Sequence, residues 1–540
     1  MANKEYDYVV VGAGSAGCVV ANRLTEDPAI RVLVIEAGDW DTQLLLKMPL
    51  GFHFPRYPKV VWPYLSEPEA ELGGRQIALP RGRIVGGSST INGMLYSRGH
   101  PADYDQWRQM GCEGWSYADV LPYFKRSEKS WRGEGKYHGG AGPMEVSRID
   151  TRKLLFDPVV QAARNRGYAI SDDLHAEQTE GFAIGETTTG RGLRASASTA
   201  YLKPALKRPN LAIVTRALAT RFVIERGRAV ALEYEHEGQR HVARAAREIV
   251  LSGGSFNSPQ LLLLSGIGPA DELRTLGIET VHDLPGVGHN LSEHASYYLD
   301  YATRGPISFL NELRFDKVAL SMLRWMTLRS GLFASQATTS NALIRTRPEL
   351  ERPDIQLFFN PVRLDAQVWF PFIRPVQEHQ IGALIILLHP ESRGRLSLHS
   401  SDPREPPRIE LNLLNRRADI ETLIRGLRAA REVFATQPLA DLVDRELHPG
   451  AGAQSDAEIE AYMRQSLGVS FHQVGTCKMG QGEDAVVDSE LRVRGIEGLR
   501  IADASIMPTV PGGNTNAPSI MIGEKAADLL RGRLPLPAAS

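Results

Sequence analysis

The stretch from Tyr6 to Glu36, YDYVVVGAGSAGCVVANRLTEDPAIRVLVIE, decides the fold of this chain. Two uninterrupted apolar runs, Tyr8–Val11 and Arg31–Ile35, predict strands that are buried on both faces of a parallel sheet. Between them, Ala16–Leu24 carries Val20 and Leu24 at the i, i+4 spacing of a helix. The stretch therefore predicts a complete βαβ unit of about thirty residues.

Three glycines, Gly12, Gly14 and Gly17, follow the first predicted strand at the spacing of a dinucleotide fingerprint. The first permits a tight turn, the second lets backbone approach a pyrophosphate, and the third lets the helix pack on the strand. The pyrophosphate would lie at the helix N-terminus, against unpaired N–H groups. Glu36 ends the second strand, where its carboxylate can bind both ribose hydroxyls and would repel a 2′-phosphate. The stretch predicts a site for FAD or NAD, and the spacing alone does not separate these two.

Length and composition limit the class of protein. A chain of 540 residues is longer than one hydrophobic core usually serves, so we expect at least two domains. Hydrophobic residues make up 42% and charged residues 23%, which is ordinary for a globular protein. The net charge of −1 gives no reason to expect nucleic acid or an acidic membrane as a partner.

The three cysteines, Cys18, Cys112 and Cys477, are far apart and form no CxxC pair. They indicate a reducing compartment, no disulfide framework and no metal site. The start of the chain lacks the apolar region of a secretory signal, and the run Ile381–Leu388 is too short to span a membrane. We expect a soluble, cytoplasmic protein without a transmembrane segment; peripheral membrane association and a homodimer both stay open.

Further glycine-rich blocks favour backbone contact with a ligand. Residues Gly82–Met94 are small and lead into an apolar stretch, which suits a loop pressed against a flat ligand. Ser252–Pro259 ends a predicted strand and opens a helix. Near the C-terminus, the strand Leu499–Ala504 and the loop Gly512–Pro518 lead into a helix through Leu530. The end of the chain is therefore predicted to pack beside the N-terminal βαβ unit.

The region from about residue 297 to residue 463 has a different character. Ile355–Phe359, Ala383–Leu388 and Arg395–Leu398 alternate or run apolar like strands of an antiparallel sheet, and Ile420–Phe434 has helical periodicity. The predicted fold class is α/β with an α+β second domain. The predicted nucleotide-binding domain combines residues 1–155, 196–296 and 465–540, and the substrate domain is 297–464. Residues 156–195 carry no clear pattern and are assigned to the substrate side.

Taken together, the chain resembles the glucose–methanol–choline (GMC) oxidoreductases, in their FAD-dependent alcohol dehydrogenase and oxidase branch. The resemblance extends over nearly the whole length, and the blocks that carry it are the βαβ unit, Gly82–Met94, Gly253–Pro269, Leu284–Leu291, Phe471–Gly480 and Ala502–Pro518. The resemblance implies FAD in a Rossmann-like domain that is discontinuous in sequence. It also implies a substrate domain whose antiparallel sheet covers the flavin.

The cofactor-binding residues implied by the resemblance are Gly12, Gly14, Ser15, Ala16, Gly17, Glu36, Ala37, Gly86, Gly87, Ser88, Asn92, Gly93, Met94, Ala219, Asp503, Ala504, Asn514, Asn516 and Ala517. In some members a histidine of the Gly86–Gly93 block attaches FAD covalently. Ile91 stands at that position here, so we expect noncovalent FAD. Gln473 stands where many members have proline, which should change the local backbone without removing the base.

By the same resemblance His472 is the catalytic base and Asn516 its partner. Removing the hydroxyl proton of an alcohol eases loss of hydride from its carbon, and histidine has a pKa suited to that transfer. Asn516 would hold the substrate oxygen so that the carbon faces flavin N5. The alternative role of His472 is structural, and the alternative role of Asn516 is to cap a helix.

The expected reaction is oxidation of a primary alcohol to the aldehyde by hydride transfer to FAD, with dioxygen or a quinone or redox protein as acceptor. Choline-oxidising members carry a glutamate upstream of the segment that matches Leu343–Arg345. Thr339 is the best match here, so a quaternary ammonium would lack its counter-charge. The aromatic residues Phe358, Phe359, Trp369, Phe370 and Phe372 either line the pocket or belong to the core. A choline dehydrogenase, a non-redox lyase on the same scaffold and an inactive flavin-binding sensor stay as alternatives.

Overall fold

A computed structural model describes residues 5–53, 58–363 and 365–539. Its α-helices are α1 (Ser15–Leu24), α2 (Leu44–Lys47), α3 (Pro101–Gln109), α4 (Tyr117–Ser127), α5 (Phe156–Asn165), α6 (Lys203–Ala205), α7 (Gly254–Leu264), α8 (Ala270–Thr275), α9 (Phe315–Leu328), α10 (Arg417–Phe434), α11 (Asp456–Ser466) and α12 (Asn516–Leu530). No helix within the described ranges has the length and apolar character needed to cross a membrane.

The strands of the first half are β1 (Tyr6–Val11), β2 (Val32–Ile35), β3 (Val61–Trp62), β4 (Arg81–Gly82), β5 (Glu128–Ser130), β6 (Met144–Arg148), β7 (Gly181–Ala183), β8 (Glu186–Thr187), β9 (Thr189–Gly190), β10 (Leu193–Arg194), β11 (Leu211–Val214), β12 (Ala217–Glu225), β13 (Arg228–His236) and β14 (Gln239–Leu251). Those of the second half are β15 (Ile267–Gly268), β16 (His282–Asp283), β17 (Ala295–Thr303), β18 (Ser340–Ile344), β19 (Ile355–Asn360), β20 (Gln380–Leu387), β21 (Arg395–Ser397), β22 (Arg408–Glu410), β23 (Val443–His448), β24 (Gly468–Val469) and β25 (Leu499–Ile501).

The first large sheet is built around the N-terminal βαβ unit. Strands β11, β2, β1, β14 and β25 run parallel in that order. Val9 and Val34 are fully buried, as expected for strands covered on both faces. The first half of β14 turns away to form an antiparallel meander with β13 and β12. Helix α12 packs on α1, and the Tyr8 hydroxyl donates to Leu530 O at 2.8 Å, so the C-terminus closes the domain that the N-terminus begins.

The second large sheet is antiparallel throughout, in the order β23, β17, β20, β19, β18 and β7, with β24 beside β17. Helix α10 covers one face, where a Cβ on Gly426 would lie 2.9 Å from both Ile355 and Ile385. The predicted fold class is confirmed: a nucleotide-binding α/β domain built from distant segments and a second domain on an antiparallel sheet.

One predicted strand lies outside that sheet. Arg395–Ser397 pairs with Arg408–Glu410 in a separate two-stranded ribbon. Its apolar residue, Leu396, is buried opposite Ile409. The alternating pattern that predicted a strand therefore forms this ribbon and not a strand of the large sheet. In contrast, β7, from the segment without a clear pattern, hydrogen-bonds to β18 at the sheet edge.

Candidate active site

A cavity of about 890 Å³ lies between the two large sheets. Its walls include Val11, Ile35 and Leu251, at the carboxyl ends of β1, β2 and β14. The side chains of alternate residues on β17, β19 and β20 form the opposite wall. Ligands of open parallel sheets bind beyond the carboxyl ends of the strands, so the cavity lies where the βαβ unit predicts a dinucleotide.

Two glycine loops form a narrow cradle at the first sheet. Gly12 has φ +98°, and a Cβ there would lie 2.5 Å from Ser252 O. Gly87 has φ +54°, and a Cβ there would lie 2.7 Å from Gly14 Cα. The loops approach each other so closely that no side chain fits between them. Backbone groups therefore form this wall, which suits a flat or phosphate-bearing ligand.

Two helix N-termini meet at the same place. Neither α1 nor α12 has a side-chain cap or an acidic residue in its first turn. Ser15 Oγ, in the first turn of α1, donates to Asn516 Oδ1, in the first turn of α12, at 2.8 Å. Free N–H groups at a helix N-terminus attract anions. With the glycine cradle, these uncapped ends fit the pyrophosphate of FAD.

Most of the predicted cofactor residues line the cavity: Gly12, Gly14, Ser15, Ala16, Glu36, Ala37, Gly87, Ser88, Asn92, Gly93, Met94, Ala219, Asp503, Ala504, Asn514 and Asn516. Gly17, Gly86 and Ala517 lie behind this lining in the described structure. A Cβ on Gly17 would lie 2.0 Å from Gly12 O, and Gly86 N–H donates to Ala13 O at 2.7 Å. These two glycines therefore shape the cradle from behind.

The two predicted acidic residues are both held by backbone N–H groups. Glu36 accepts from Ala13 at 2.8 Å and from Gly38 at 2.7 Å. Asp503 accepts from Gly254 N–H at 2.9 Å, at the start of α7. Burial raises the pKa of both carboxyls. These backbone hydrogen bonds fix the orientation of both carboxyl groups.

His472 lies between the nucleotide cradle and the second sheet, and its imidazole is buried. Its Nε2 is 3.0 Å from Asn514 Nδ2, and its Nδ1 is 2.9 Å from Nδ1 of His294. His294 Nε2 is 2.9 Å from Leu388 O. The His472 backbone N–H donates to the buried carboxylate of Glu293 at 2.9 Å.

These contacts determine where the ring protons lie. A carbonyl oxygen only accepts, so His294 carries its proton on Nε2 and accepts at Nδ1. His472 must then donate from Nδ1 to His294. Its Nε2 is left with a lone pair, toward which the Asn514 amide donates. His472 is thus held as a neutral imidazole whose basic nitrogen lies at the cavity.

The pKa values in this cluster follow from burial. Burial lowers the pKa of His472 well below its usual value, and the positive charges of His294 and Arg81 would act in the same direction. Burial lowers the pKa of His294 to about 3 and raises the pKa of Glu293 to about 7. Both imidazoles are therefore neutral at neutral pH, while Glu293 titrates there.

The amide beside the base is not the one predicted. Asn514, not Asn516, contacts His472; Asn516 is the first residue of α12 and binds Ser15. The two amides are only two residues apart, and the pattern could not show which one precedes the helix. Asn514 Oδ1 has no hydrogen-bond partner in the described structure, so the amide retains an acceptor for a ligand.

His294 and Glu293 were missed by sequence reasoning. They follow the block Leu284–Leu291, but nothing in their spacing distinguishes them from the other acidic residues and histidines. Their backbones lie just before β17, and the pairing of β17 with β24, continued by the bridge between Ser292 and Val474, brings them beside His472.

The wall opposite the cradle is mainly apolar. Its residues alternate along the second sheet, as strand geometry requires: Ser296, Tyr298, Phe358, Asn360, Leu384 and Ile386. Among the described residues, the carboxylates that line the cavity are Glu36, Glu405 and Asp503, and none of these lies on this sheet. Thr338 lines the cavity, whereas Thr339 does not.

The predicted aromatic stretch divides between several environments. Phe358 lines the cavity, and Phe359 is buried on the opposite face of the sheet. Trp369 Nε1 donates to Leu310 O at 2.9 Å, Phe370 stacks on Phe315, and Phe372 is fully exposed. Ile91 lines the cavity and packs in a small cluster with Val60, Val61 and Ile84.

Comparison with known proteins identifies the family of this chain. Family models described as GMC oxidoreductase match residues 6–296 and 390–523. The chain is 43% identical to an oxygen-dependent choline dehydrogenase of Sinorhizobium fredii, over 98% of this chain and 96% of the relative. It is also 43% identical to mitochondrial choline dehydrogenase of Mus musculus, over 98% and 90%.

Two solved structures share the whole fold. Pyridoxine 4-oxidase from Mesorbium loti matches with a TM-score of 0.88 and 30% identity, covering 98% of this chain and all of that one. Formate oxidase of Aspergillus oryzae matches with a TM-score of 0.91 and 27% identity, covering 98% of both chains. Fold and site define an FAD-dependent oxidoreductase that acts on CH–OH groups. The chain belongs to the GMC oxidoreductase family.

Proposed function

We propose that this enzyme oxidises an uncharged primary alcohol to the aldehyde, with His472 as general base and FAD bound noncovalently. The observation that carries the proposal is the lone pair of His472 Nε2, held at a cavity whose opposite wall is uncharged among the described residues. A base in this position suits a hydroxyl proton, and the wall suits an apolar substituent.

In this mechanism the substrate hydroxyl replaces the Asn514 amide as the donor to His472 Nε2, and the released Asn514 N–H donates to the same substrate oxygen. As His472 takes the proton it becomes an imidazolium, which the nearby carboxylate of Glu293 stabilises when ionised. His294 accepts from Nδ1 throughout and keeps the ring in its orientation. FAD, when bound, supplies the acceptor for the hydride that leaves the carbon. Tyr298, Phe358 and Leu384 exclude water from the reacting groups.

Choline is the second candidate, and the names of the relatives at 43% identity favour it. A quaternary ammonium is bound by aromatic faces and a counter-charge. Here Tyr298 and Phe358 provide aromatic faces, but the second sheet, as far as the structure describes it, provides no carboxylate at the cavity. Without a counter-charge for the ammonium group, the pocket favours a neutral substrate over choline.

Two alcohols of the same shape test the choice. Choline and 3,3-dimethylbutan-1-ol differ in charge and hardly in shape, so their kcat/KM ratio reports the electrostatics of the pocket. We expect the neutral alcohol to be preferred by roughly tenfold or more, about 1.4 kcal/mol. In Ser296→Glu the preference should move toward choline, and in the uncharged control Ser296→Gln it should not. A wild-type preference for choline would overturn the neutral-substrate proposal.

The acceptor is proposed to be dioxygen or a quinone-like carrier, since the Sinorhizobium relative is named as oxygen-dependent. Anaerobic bleaching of the flavin by alcohol, followed by mixing with each acceptor, separates these possibilities and excludes a non-redox lyase. The three cysteines are buried and free, which favours a reducing compartment such as the cytoplasm.

A further inference from the structure

Exposed apolar side chains are concentrated in one part of the second domain. Eight of the seventeen exposed large hydrophobic residues in the described chain lie on α9 or in residues 372–376. Six of them form what we call the apolar ridge: Phe315, Leu320, Leu323, Met326, Phe372 and Ile373. Scattered surface apolar residues are normal, but a contiguous set marks an interaction surface.

Helix α9 is apolar on two faces. Trp325 is fully buried, and Val318 and Met322 pack beside it in the core of the domain. The opposite face carries Leu323 and Met326, which are 59% and 53% exposed. The inward face and the bond from Trp325 Nε1 to Gly192 O at 2.7 Å hold the helix in place. The outward face is therefore not required for folding.

The loop after β19 extends the same surface. The Phe315 ring stacks on Phe370 with centroids 4.7 Å apart. Phe370 and Arg374 exchange two backbone hydrogen bonds, which close a tight turn. At its tip Phe372, with φ +68°, is fully exposed and Ile373 is 84% exposed. The ridge therefore ends in a protruding apolar tip.

Helix α9 and the residue after it add uncompensated positive charge beside the ridge. Residues 314–329 include the basic residues Arg314, Lys317, Arg324 and Arg329 and one acidic residue, Asp316. Arg314 pairs with Asp316 and Lys317 pairs with Glu312, so the excess positive charge lies on Arg324 and Arg329. Arg324 bonds the Ser330 hydroxyl, and Arg329 lies over the Trp325 ring. Neither of these two guanidinium groups is paired with a carboxylate in the described structure. The net charge of the whole chain, −1, therefore does not show the positive charge at this surface.

From this arrangement we infer that the apolar ridge docks on a membrane surface that contains anionic phospholipid. An apolar helix face and an aromatic loop tip can enter the headgroup boundary, while the adjacent arginines bind lipid phosphates. A second copy of the chain fits less well, because a two-fold contact through this surface would bring its positive charges together. The inference does not depend on the identity of the alcohol.

The test is sedimentation of the purified, full-length, FAD-loaded enzyme with lipid vesicles. Binding to vesicles of mixed phosphatidylglycerol and phosphatidylcholine should exceed binding to phosphatidylcholine alone by roughly tenfold and should weaken as salt is added. The variant Leu323→Ser/Phe372→Ser/Ile373→Ser should lose roughly tenfold or more of this binding. The control Val242→Ser/Val281→Ser, which removes exposed apolar residues far from the ridge in sequence, should bind like wild type.

Turnover of a water-soluble alcohol should be unchanged in both variants, which shows that they are folded. If the triple variant does not fold, Phe372→Ser alone carries the test, because its fully exposed ring makes no core contact that folding needs. Equal vesicle binding by wild type and ridge variant would overturn the inference. So would a wild-type dimer, seen by light scattering, that the ridge variant converts to monomer without any vesicle binding by wild type.

Discussion

Nδ1 of His294 lies 2.9 Å from Nδ1 of His472, and this contact fixes the tautomer of the base. Two unprotonated nitrogens would repel each other at this distance, and two protonated ones could not bond. Because Leu388 O fixes the proton of His294 on Nε2, His472 must donate from Nδ1. Orientation of a base by a second group is familiar from hydrolytic triads, but here a neutral imidazole takes the place of the carboxylate.

The first prediction concerns His472. His472→Ala should slow flavin reduction by roughly 10²–10⁴-fold, because proton transfer to a positioned base contributes about that much. FAD content should remain near wild type, since the cradle lies on the first sheet. The measurement is anaerobic stopped-flow reduction at saturating alcohol. Reduction within a few-fold of wild type in the fully loaded variant would show that another group is the base.

His294 is predicted to act through His472. His294→Phe removes the acceptor for the His472 Nδ1 proton. Leaving this buried N–H without a partner costs about 1–3 kcal/mol, so reduction should slow by about 10–100-fold. His294→Asn, whose amide oxygen can accept, should lose much less. The pH profile of reduction should change in the phenylalanine variant only. If both variants lose rate equally with unchanged profiles, His294 is only a packing residue.

Glu293 should set the pH dependence near neutrality. Burial keeps the pKa of His472 far below 7, so the base is already neutral there, while the pKa of Glu293 is about 7. As the pH rises through about 7, Glu293 loses its proton and its negative charge stabilises the imidazolium that forms on His472. Reduction should therefore accelerate with pH in wild type. In Glu293→Gln this rise should disappear; its persistence would assign the titration to another group.

Asn514 and Asn516 are predicted to have different roles. Asn514→Ala removes the amide beside His472 and should slow reduction with little loss of FAD. Asn516→Ala breaks the link between α1 and α12 at the cofactor cradle, so it should weaken FAD binding more than it slows the loaded enzyme. FAD affinity by fluorescence and reduction rate by stopped flow separate the two effects. The opposite pattern would restore Asn516 as the partner of the base.

The linkage of FAD can be tested without any variant. Acid precipitation should release yellow flavin into the supernatant, because Ile91 has no atom that could form a bond to it. Flavin that stays with the precipitate would show a covalent attachment elsewhere in the cradle. Mass spectrometry of tryptic peptides would then locate it.

The βαβ unit was predictable from the sequence because its signals are local. A strand buried on both faces needs a continuous apolar run, a helix needs its period, and the turn between them needs glycines at fixed spacing. These constraints act within about thirty residues, so the positions of Gly12, Gly14 and Glu36 in the unit follow from the sequence alone. The confirmed family and cofactor follow from the same kind of short, ordered blocks.

The neighbours of the base were decided only by tertiary structure. His294 is 178 residues from His472, and the pairing of β17 with β24 brings them together. The choice of Asn514 over Asn516 depends on where α12 begins and on its packing against α1. Sequence spacing determined the cofactor cradle because backbone geometry is local. The proton-transfer cluster required the fold, because its contacts join residues that no local pattern relates.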